Sequence, residues 1–227
     1  WSSDVCSSDL VGILDGSVAT RTDAKNQRVE YTYDSLGRVT QIRRYNSSGV
    51  EQACERMNLY YDETPSSFML GAYTQNGLGR LAAAEWGDLS SCTSGRFRQL
   101  YSYHSGGAAT KKRQLADKTW NWNRDMEAVY TYNSMGQLVS TQYPSSGPTF
   151  TYTYDPMGRP VKLTDNRATP VDWVKDVVYN AAGQITEMKS VHNLDYPDSP
   201  VYRNEHRTYN VLGQVTHMHV DNQSNVL

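Results

Sequence analysis

One nine-residue string returns along this chain often enough to decide its architecture. Tyr31-Thr-Tyr33-Asp34-Ser35-Leu36-Gly37-Arg38-Val39 recurs as Tyr130-Thr-Tyr132-Asn133-Ser134-Met135-Gly136-Gln137-Leu138 and as Tyr152-Thr-Tyr154-Asp155-Pro156-Met157-Gly158-Arg159-Pro160. Shorter copies are Val177-Val-Tyr179-Asn180-Ala181-Ala182-Gly183-Gln184-Ile185 and Arg207-Thr-Tyr209-Asn210-Val211-Leu212-Gly213-Gln214-Val215. Two worn copies fit the same frame: Tyr73-Thr-Gln75-Asn76-Gly77-Leu78-Gly79-Arg80-Leu81 and Tyr101-Ser-Tyr103-His104-Ser105-Gly106-Gly107. The central positions 33, 75, 103, 132, 154, 179 and 209 are 42, 28, 29, 22, 25 and 30 residues apart. Self-similarity at such a period is the signature of a repeat architecture, each copy being one supersecondary unit.

The chemistry of the string names that unit. Tyr-Thr-Tyr alternates aromatic and β-branched residues, which suits a strand with one packed face and one wetter face. Asp/Asn-x-x-Gly is a type I turn signature: the Asx side chain caps the turn and the glycine takes a positive φ. Pro156 sits where its fixed φ fits that turn. Arg or Gln followed by Val, Leu or Ile then starts the return strand. Each copy is therefore a β-hairpin, and a lone hairpin is marginal in water, so neighbours must stabilise it. Asn46–Gly49, Pro144–Pro148 and Tyr196–Pro200 read as turns on the far edge of the sheet. Tyr60–Ser67 reads as a loop insertion or an extra irregular hairpin, and Leu81–Trp86 as a return strand, six residues being too few for an independent helix.

Composition agrees and excludes several classes. The chain has 227 residues, 17 Tyr against 3 Phe, and 16 Gly. Eleven of the tyrosines fill the two aromatic slots of the repeat, and seven of the glycines fill its turn slot. With 22 basic against 24 acidic residues there is no electrostatic footprint for nucleic acid or an anionic membrane surface. No apolar run is long enough for a transmembrane helix, so no membrane insertion by this segment is expected. Residues 1–10 carry a near-duplicated Ser-Ser-Asp string and no signal-peptide pattern, and read as an adapter-derived tail. Cys6, Cys54 and Cys92 allow at most one intramolecular disulfide; Cys54 with Cys92 can bridge in an oxidising compartment, but unpaired buried thiols are the simpler expectation.

With its multiple Tyr-Asp copies the sequence resembles the Rhs/YD-repeat family over Val29 to Val220. Tyr33-Asp34-Ser35-Leu36-Gly37-Arg38-Val39 and Tyr154-Asp155-Pro156-Met157-Gly158-Arg159 carry the likeness; Asn replaces Asp in four copies and Gln replaces Arg in three. The resemblance implies an all-β fold: tandem hairpins forming a curved, spiralling sheet, a segment of a hollow shell. It implies that residues 11–227 are such a segment, open at both ends; uncapped repeats with exposed sheet edges are then expected to make the isolated fragment oligomerise or aggregate. In bacterial members the shell encloses a C-terminal toxin, a role shared by insecticidal toxin complexes, and teneurins use it in cell-surface adhesion. The expected function is thus non-catalytic containment of a toxin or effector cargo in the same full-length polypeptide, secreted or at the cell surface through a dedicated secretion system. The alternative is an extracellular carbohydrate-binding or adhesion surface, with glycans as partners; a glycan-active enzyme ranks below both.

The structural repeat residues are Tyr33, Asp34, Gly37, Arg38, Asn76, Gly79, Arg80, Tyr103, Gly107, Tyr132, Asn133, Gly136, Tyr154, Asp155, Gly158, Arg159, Tyr179, Asn180, Gly183, Tyr209, Asn210 and Gly213. Trp120 and Trp122 share a strand face and could stack a ligand, although a packed cross-strand cluster is the plainer reading. His217 and His219 likewise share a face with chelating geometry, but no third ligand is evident, and no metal is expected. Lys111-Lys-Arg113 is too short for a nucleic-acid patch. No nucleophile elbow, phosphate loop or zinc-protease motif is present, so neither catalytic residues nor a cofactor are expected.

Overall fold

The computed structural model describes residues 9–12, 16–89, 92–93, 95–117, 124–192 and 200–222. Among them there is no α-helix. The chain divides into two compact units, Trp1–Glu127 and Ala128–Leu227.

In the first unit the strands are β1 (Asp9–Gly12), β2 (Val18–Thr22), β3 (Arg28–Tyr33), β4 (Val39–Tyr45), β5 (Met57–Tyr61), β6 (Leu81–Gly87), β7 (Arg96–Tyr103) and β8 (Ala109–Asp117). Each pairs antiparallel with the next. Strand β9 (Arg124–Tyr132) crosses from one unit to the other. The second unit continues with β10 (Leu138–Gln142), β11 (Thr149–Tyr154), β12 (Pro160–Asp165), β13 (Asp172–Tyr179), β14 (Ile185–Val191), β15 (Tyr202–Tyr209) and β16 (Val215–Asn222). Here too sequential neighbours pair antiparallel. The all-β, tandem-hairpin expectation is borne out.

The turn chemistry is as the repeat predicts. Asp34 Oδ1 accepts from the N–H groups of Leu36 and Arg38, both at 2.9 Å, while the Gly37 N–H donates to the Asp34 carbonyl at 3.1 Å. Gly37 stands at φ +75°, where a Cβ would be strained. Tyr33 faces Val39 while Thr32 faces Gln41, so Thr40 is the extra residue of a bulge. The same shift follows Thr153 in β11 and Thr208 in β15. The His104 copy is a sound hairpin, because the imidazole Nδ1 takes the Asx role and accepts from the Gly106 N–H at 3.1 Å.

The copy placed at Tyr73–Leu81 needs correction. No strand runs through Tyr73, Thr74 and Gln75. The outgoing strand of that hairpin is β5, and Asp62, not Asn76, is its turn residue: the Asp62 N–H donates to the Arg80 carbonyl at 3.0 Å, and Asp62 Oδ1 accepts from the Gly79 N–H at 2.6 Å. Tyr61-Asp62 and Leu78-Gly79-Arg80-Leu81 are thus two halves of one repeat, separated by an insertion. The hydroxyls of Thr64 and Thr74, 2.7 Å apart, tie the insertion together. A Cβ on Gly77 would stand 2.1 Å from the Asp62 carbonyl oxygen, so only glycine passes there. Asn76 instead reaches forward, its Nδ2 donating to the Tyr103 carbonyl at 2.9 Å.

That insertion makes the main apolar core among the described residues. Phe68 lies on Ala83, Leu100 and Leu115, flanked by Tyr60, Leu70 and Tyr73, and Leu100 is 0% exposed. The expectation of free thiols is also corrected: Cys54 and Cys92 form a disulfide, Cα to Cα 5.5 Å. It joins the short 3-10 turn at Ala53–Glu55, before β5, to the connection after β6, which β5–β6 pairing has already brought close.

Candidate functional site

The repeat residues do more than close their own turns; they hold each hairpin to the next. The Tyr154 hydroxyl donates to the Leu138 carbonyl at 2.7 Å, Tyr179 to Pro160 at 2.6 Å, and Tyr209 to Ile185 at 2.7 Å. In the first unit Tyr103 donates to Leu81 at 2.6 Å and Tyr33 to Val18 at 2.8 Å. The acceptor is always the residue two after the preceding turn glycine. That rule exposes a hairpin the sequence reading missed, since Gly16-Ser17-Val18 opens β2 with Gly16 at φ +86°. Burial raises the phenol pKa of Tyr103, Tyr132, Tyr154 and Tyr179, so these hydroxyls stay protonated donors across the ordinary pH range.

The residue after the turn glycine makes a second link. Arg38 Nε donates to its own Asp34 at 2.6 Å, and both Nη atoms reach Asp62 of the next repeat at 3.0 Å. Its guanidinium also lies 4.5 Å from the centre of the Tyr61 ring. Arg159 pairs with Asp155 at 2.8 Å and stacks 4.4 Å over Tyr179. Arg80 lies 5.7 Å over Tyr103. The side-chain hydrogen bond from Arg38 holds the Asp62 carboxyl below its usual range, and the backbone N–H of Arg38 does the same first for Asp34. Asp155 is lowered in the same way by the Arg159 N–H. Asp62 and Asp34 in turn raise Arg38.

Where Asn stands for Asp, Gln stands for Arg, and the link survives without charge. Asn133 Nδ2 donates to Gln137 Oε1 at 2.7 Å, Asn180 to Gln184 at 2.8 Å, and Asn210 to Gln214 at 2.9 Å. The freed end of the glutamine crosses to the next repeat: Gln137 Nε2 donates to the Gly158 carbonyl at 2.9 Å and Gln184 Nε2 to the Gly213 carbonyl at 3.0 Å. The turn glycines Gly37, Gly79, Gly107, Gly136, Gly158, Gly183 and Gly213 all have φ between +75° and +94°. At the third turn position Leu36, Met135, Met157 and Leu212 project into solvent.

The remaining candidates separate. Trp120 and Trp122 lie outside the described residues. Lys111, Lys112 and Arg113 on β8 are occupied by Glu127 at 3.9 Å, the Tyr101 ring at 5.8 Å and Asp125 at 2.5 Å, respectively. His217 and His219 lie on β16 with their rings 6.4 Å apart. No helix among the described residues is long and apolar enough to cross a membrane.

The ladder of Tyr, Asp and Gly accords with a family comparison. The model of the teneurin YD-shell matches residues 102–227, more than half of the chain. The chain belongs to the teneurin YD-shell family. A search of curated proteins finds no match to it. Among solved structures, this YD-shell chain is similar to TcdB2-TccC3 without its hypervariable C-terminal region, with a TM-score of 0.62 at 12% identity over 94% of the chain. It is also similar to the Tc holotoxin pore of Photorhabdus luminescens, with a TM-score of 0.61 at 12% identity over 96%. A complex titled TcdB2-TccC3-Cdc42 gives 0.62 at 13% over 96%. These likenesses show a common fold. The chain spans about 11% of the length of the first two and 12% of the third. It is a YD-shell repeat segment.

Proposed function

We propose that this segment is part of the non-catalytic wall of a YD shell enclosing a C-terminal toxin or effector cargo carried in the same full-length polypeptide. The observation that supports it most is the direction of the repeat side chains. Tyr, Arg and Gln at successive turns reach from one hairpin to the next, which is work suited to a wall. The wall segment is taken as residues 11–227, with residues 1–10 as an adapter-derived tail whose last two residues, Asp9 and Leu10, pair with β2; the genomic DNA upstream of Val11 tests that boundary. A secreted or cell-surface location is supported by the Cys54–Cys92 disulfide, since such bonds persist in oxidising compartments.

The experiment is limited proteolysis of the full-length polypeptide that carries this segment. Enclosure predicts that sequence C-terminal to the wall resists protease in the intact protein and becomes sensitive once denaturant opens the sheet. Equal cleavage of that sequence before and after opening overturns the reading. A glycan array provides the contrast: binding lost on Trp120→Ala and Trp122→Ala would favour recognition over containment.

A further inference from the structure

We propose that the face of β14, β15 and β16 carries a binding site for one divalent transition metal ion of the zinc class, with His206, His219 and Asp221 as ligands. The pairing register supplies the third ligand that the sequence spacing of His217 and His219 does not show. His206 stands directly across from His219, and Asp221 follows two residues after His219 on the same strand face. Asp221 Oδ2 lies 3.6 Å from His206 Nε2 and 3.9 Å from His219 Nε2. Those separations are too long for hydrogen bonds. They exceed only slightly the edge of about 3.3 Å that a tetrahedron with metal bonds of about 2.0–2.1 Å requires. No three such groups among the described residues already stand at ligand spacing. Small side-chain rotations of two partly exposed imidazoles, 42% and 59% exposed, bring this trio there.

Two surrounding features fit the same ion. Glu187, across β14–β15 from His206, places Oε1 3.7 Å from His206 Nδ1. A carboxylate on the far nitrogen of a ligand histidine fixes the ring and its tautomer in known zinc sites. Asp221 Oδ1 is buried with no hydrogen-bond partner, so the carboxylate leans on whatever charge meets Oδ2. The site is reachable, since a shallow concavity lined by Glu187, Lys189, Asn204 and His206 opens beside it. Lys189 does not compete for Asp221, because its ammonium pairs with Asp176 at 2.8 Å. Three protein ligands leave a fourth position for water. Two imidazoles with one carboxylate select the zinc class over calcium or magnesium, which take oxygen ligands.

Calorimetric titration of Zn²⁺ into the 227-residue chain at pH 7.5 tests this, with Co²⁺ absorption as a second readout of nitrogen ligation. One ion per chain is expected. His206→Ala, His219→Ala and Asp221→Asn should each weaken it by more than about tenfold, and Glu187→Gln by less than any of these. His192→Ala, whose ring meets Arg203 elsewhere, should leave binding unchanged. All the substituted side chains are exposed or partly exposed, and far-UV circular dichroism checks that each variant keeps the sheet. No binding, or binding lost on His217→Ala but kept on His206→Ala, overturns the proposal.

Discussion

The hairpins β5–β8 and the hairpins β11–β16 are built on one repeat and held in different ways. Around β5–β8 an insertion folds Phe68 onto Ala83, Leu100 and Leu115, and Ala82, Ala84 and Ala116 are buried as well. In the second unit Val171 is the only buried apolar residue among those described. A sheet with little core on either face must draw its stability from the backbone ladder and from side-chain links between hairpins. Those links are modest singly, about 0.5–1.5 kcal/mol for a typical hydrogen bond, but they recur at every repeat. The contrast teaches that the YD motif is a device for making a thin wall, and that a core appears where the motif is interrupted.

The largest expected effect probes that core. Phe68→Ala should destabilise the first unit by about 3–5 kcal/mol, as aromatic truncations in packed cores do. Phe150→Ala should cost less, about 1–2 kcal/mol, because Phe150 is only half-buried beside Tyr143 and Trp173. Urea unfolding of the two variants, followed by unit-specific hydrogen exchange, measures both. Equal losses would break the distinction between a cored region and a thin one.

Reduction of Cys54–Cys92 comes next. Opening the disulfide should cost about 2–4 kcal/mol, and the loss should be confined to the first unit. A melting curve with and without reductant, compared with Cys54→Ser, checks it. A matching fall in the protection of Ala128–Leu227 would mean that the second unit does not stand on its own links.

The smallest effect concerns the two chemical versions of the turn. Asp155 is held below its ordinary range by the Arg159 N–H and side chain. A carboxyl depressed in the folded state adds stability that is complete above the unfolded carboxylate range and disappears as pH falls through the folded value. The doubly substituted Asp155→Asn/Arg159→Gln protein copies the Asn133–Gln137 arrangement and should lose less of its urea midpoint between neutral and strongly acidic pH. Asp155→Asn alone should be the less stable protein at pH 7, because Arg159 then lacks its carboxylate. Additive single changes would show that the two positions are not coupled.

Much of this was legible in residue order, because a hairpin turn is local. Asp/Asn-x-x-Gly fixed five regular turns, and Leu81–Trp86 read as a strand despite its alanines. The pairing of Asp with Arg and of Asn with Gln is also written in the sequence, at 34/38, 155/159, 133/137, 180/184 and 210/214. The split repeat was hidden because Tyr73-Thr-Gln75-Asn76 mimics the motif, with Gln75 bonded to Ser102 and Tyr103 beside β7. Its true start, Tyr61-Asp62, lay 28 residues after Tyr33-Asp34, an ordinary spacing for this chain. The disulfide joins residues 38 apart, and only strand adjacency brings them together. His206, His219 and Asp221 meet through register, which the turn at Asn210–Gly213 sets but composition does not display.

Hydrogen exchange of the chain carrying Tyr154→Phe, Tyr179→Phe and Tyr209→Phe tests the central claim most directly. These changes remove three hydroxyl links and leave the aromatic rings in place. The link account predicts faster exchange across β11–β16, with the amides of β6 and β7 unchanged beneath Phe68. Unchanged protection throughout the second unit would contradict it.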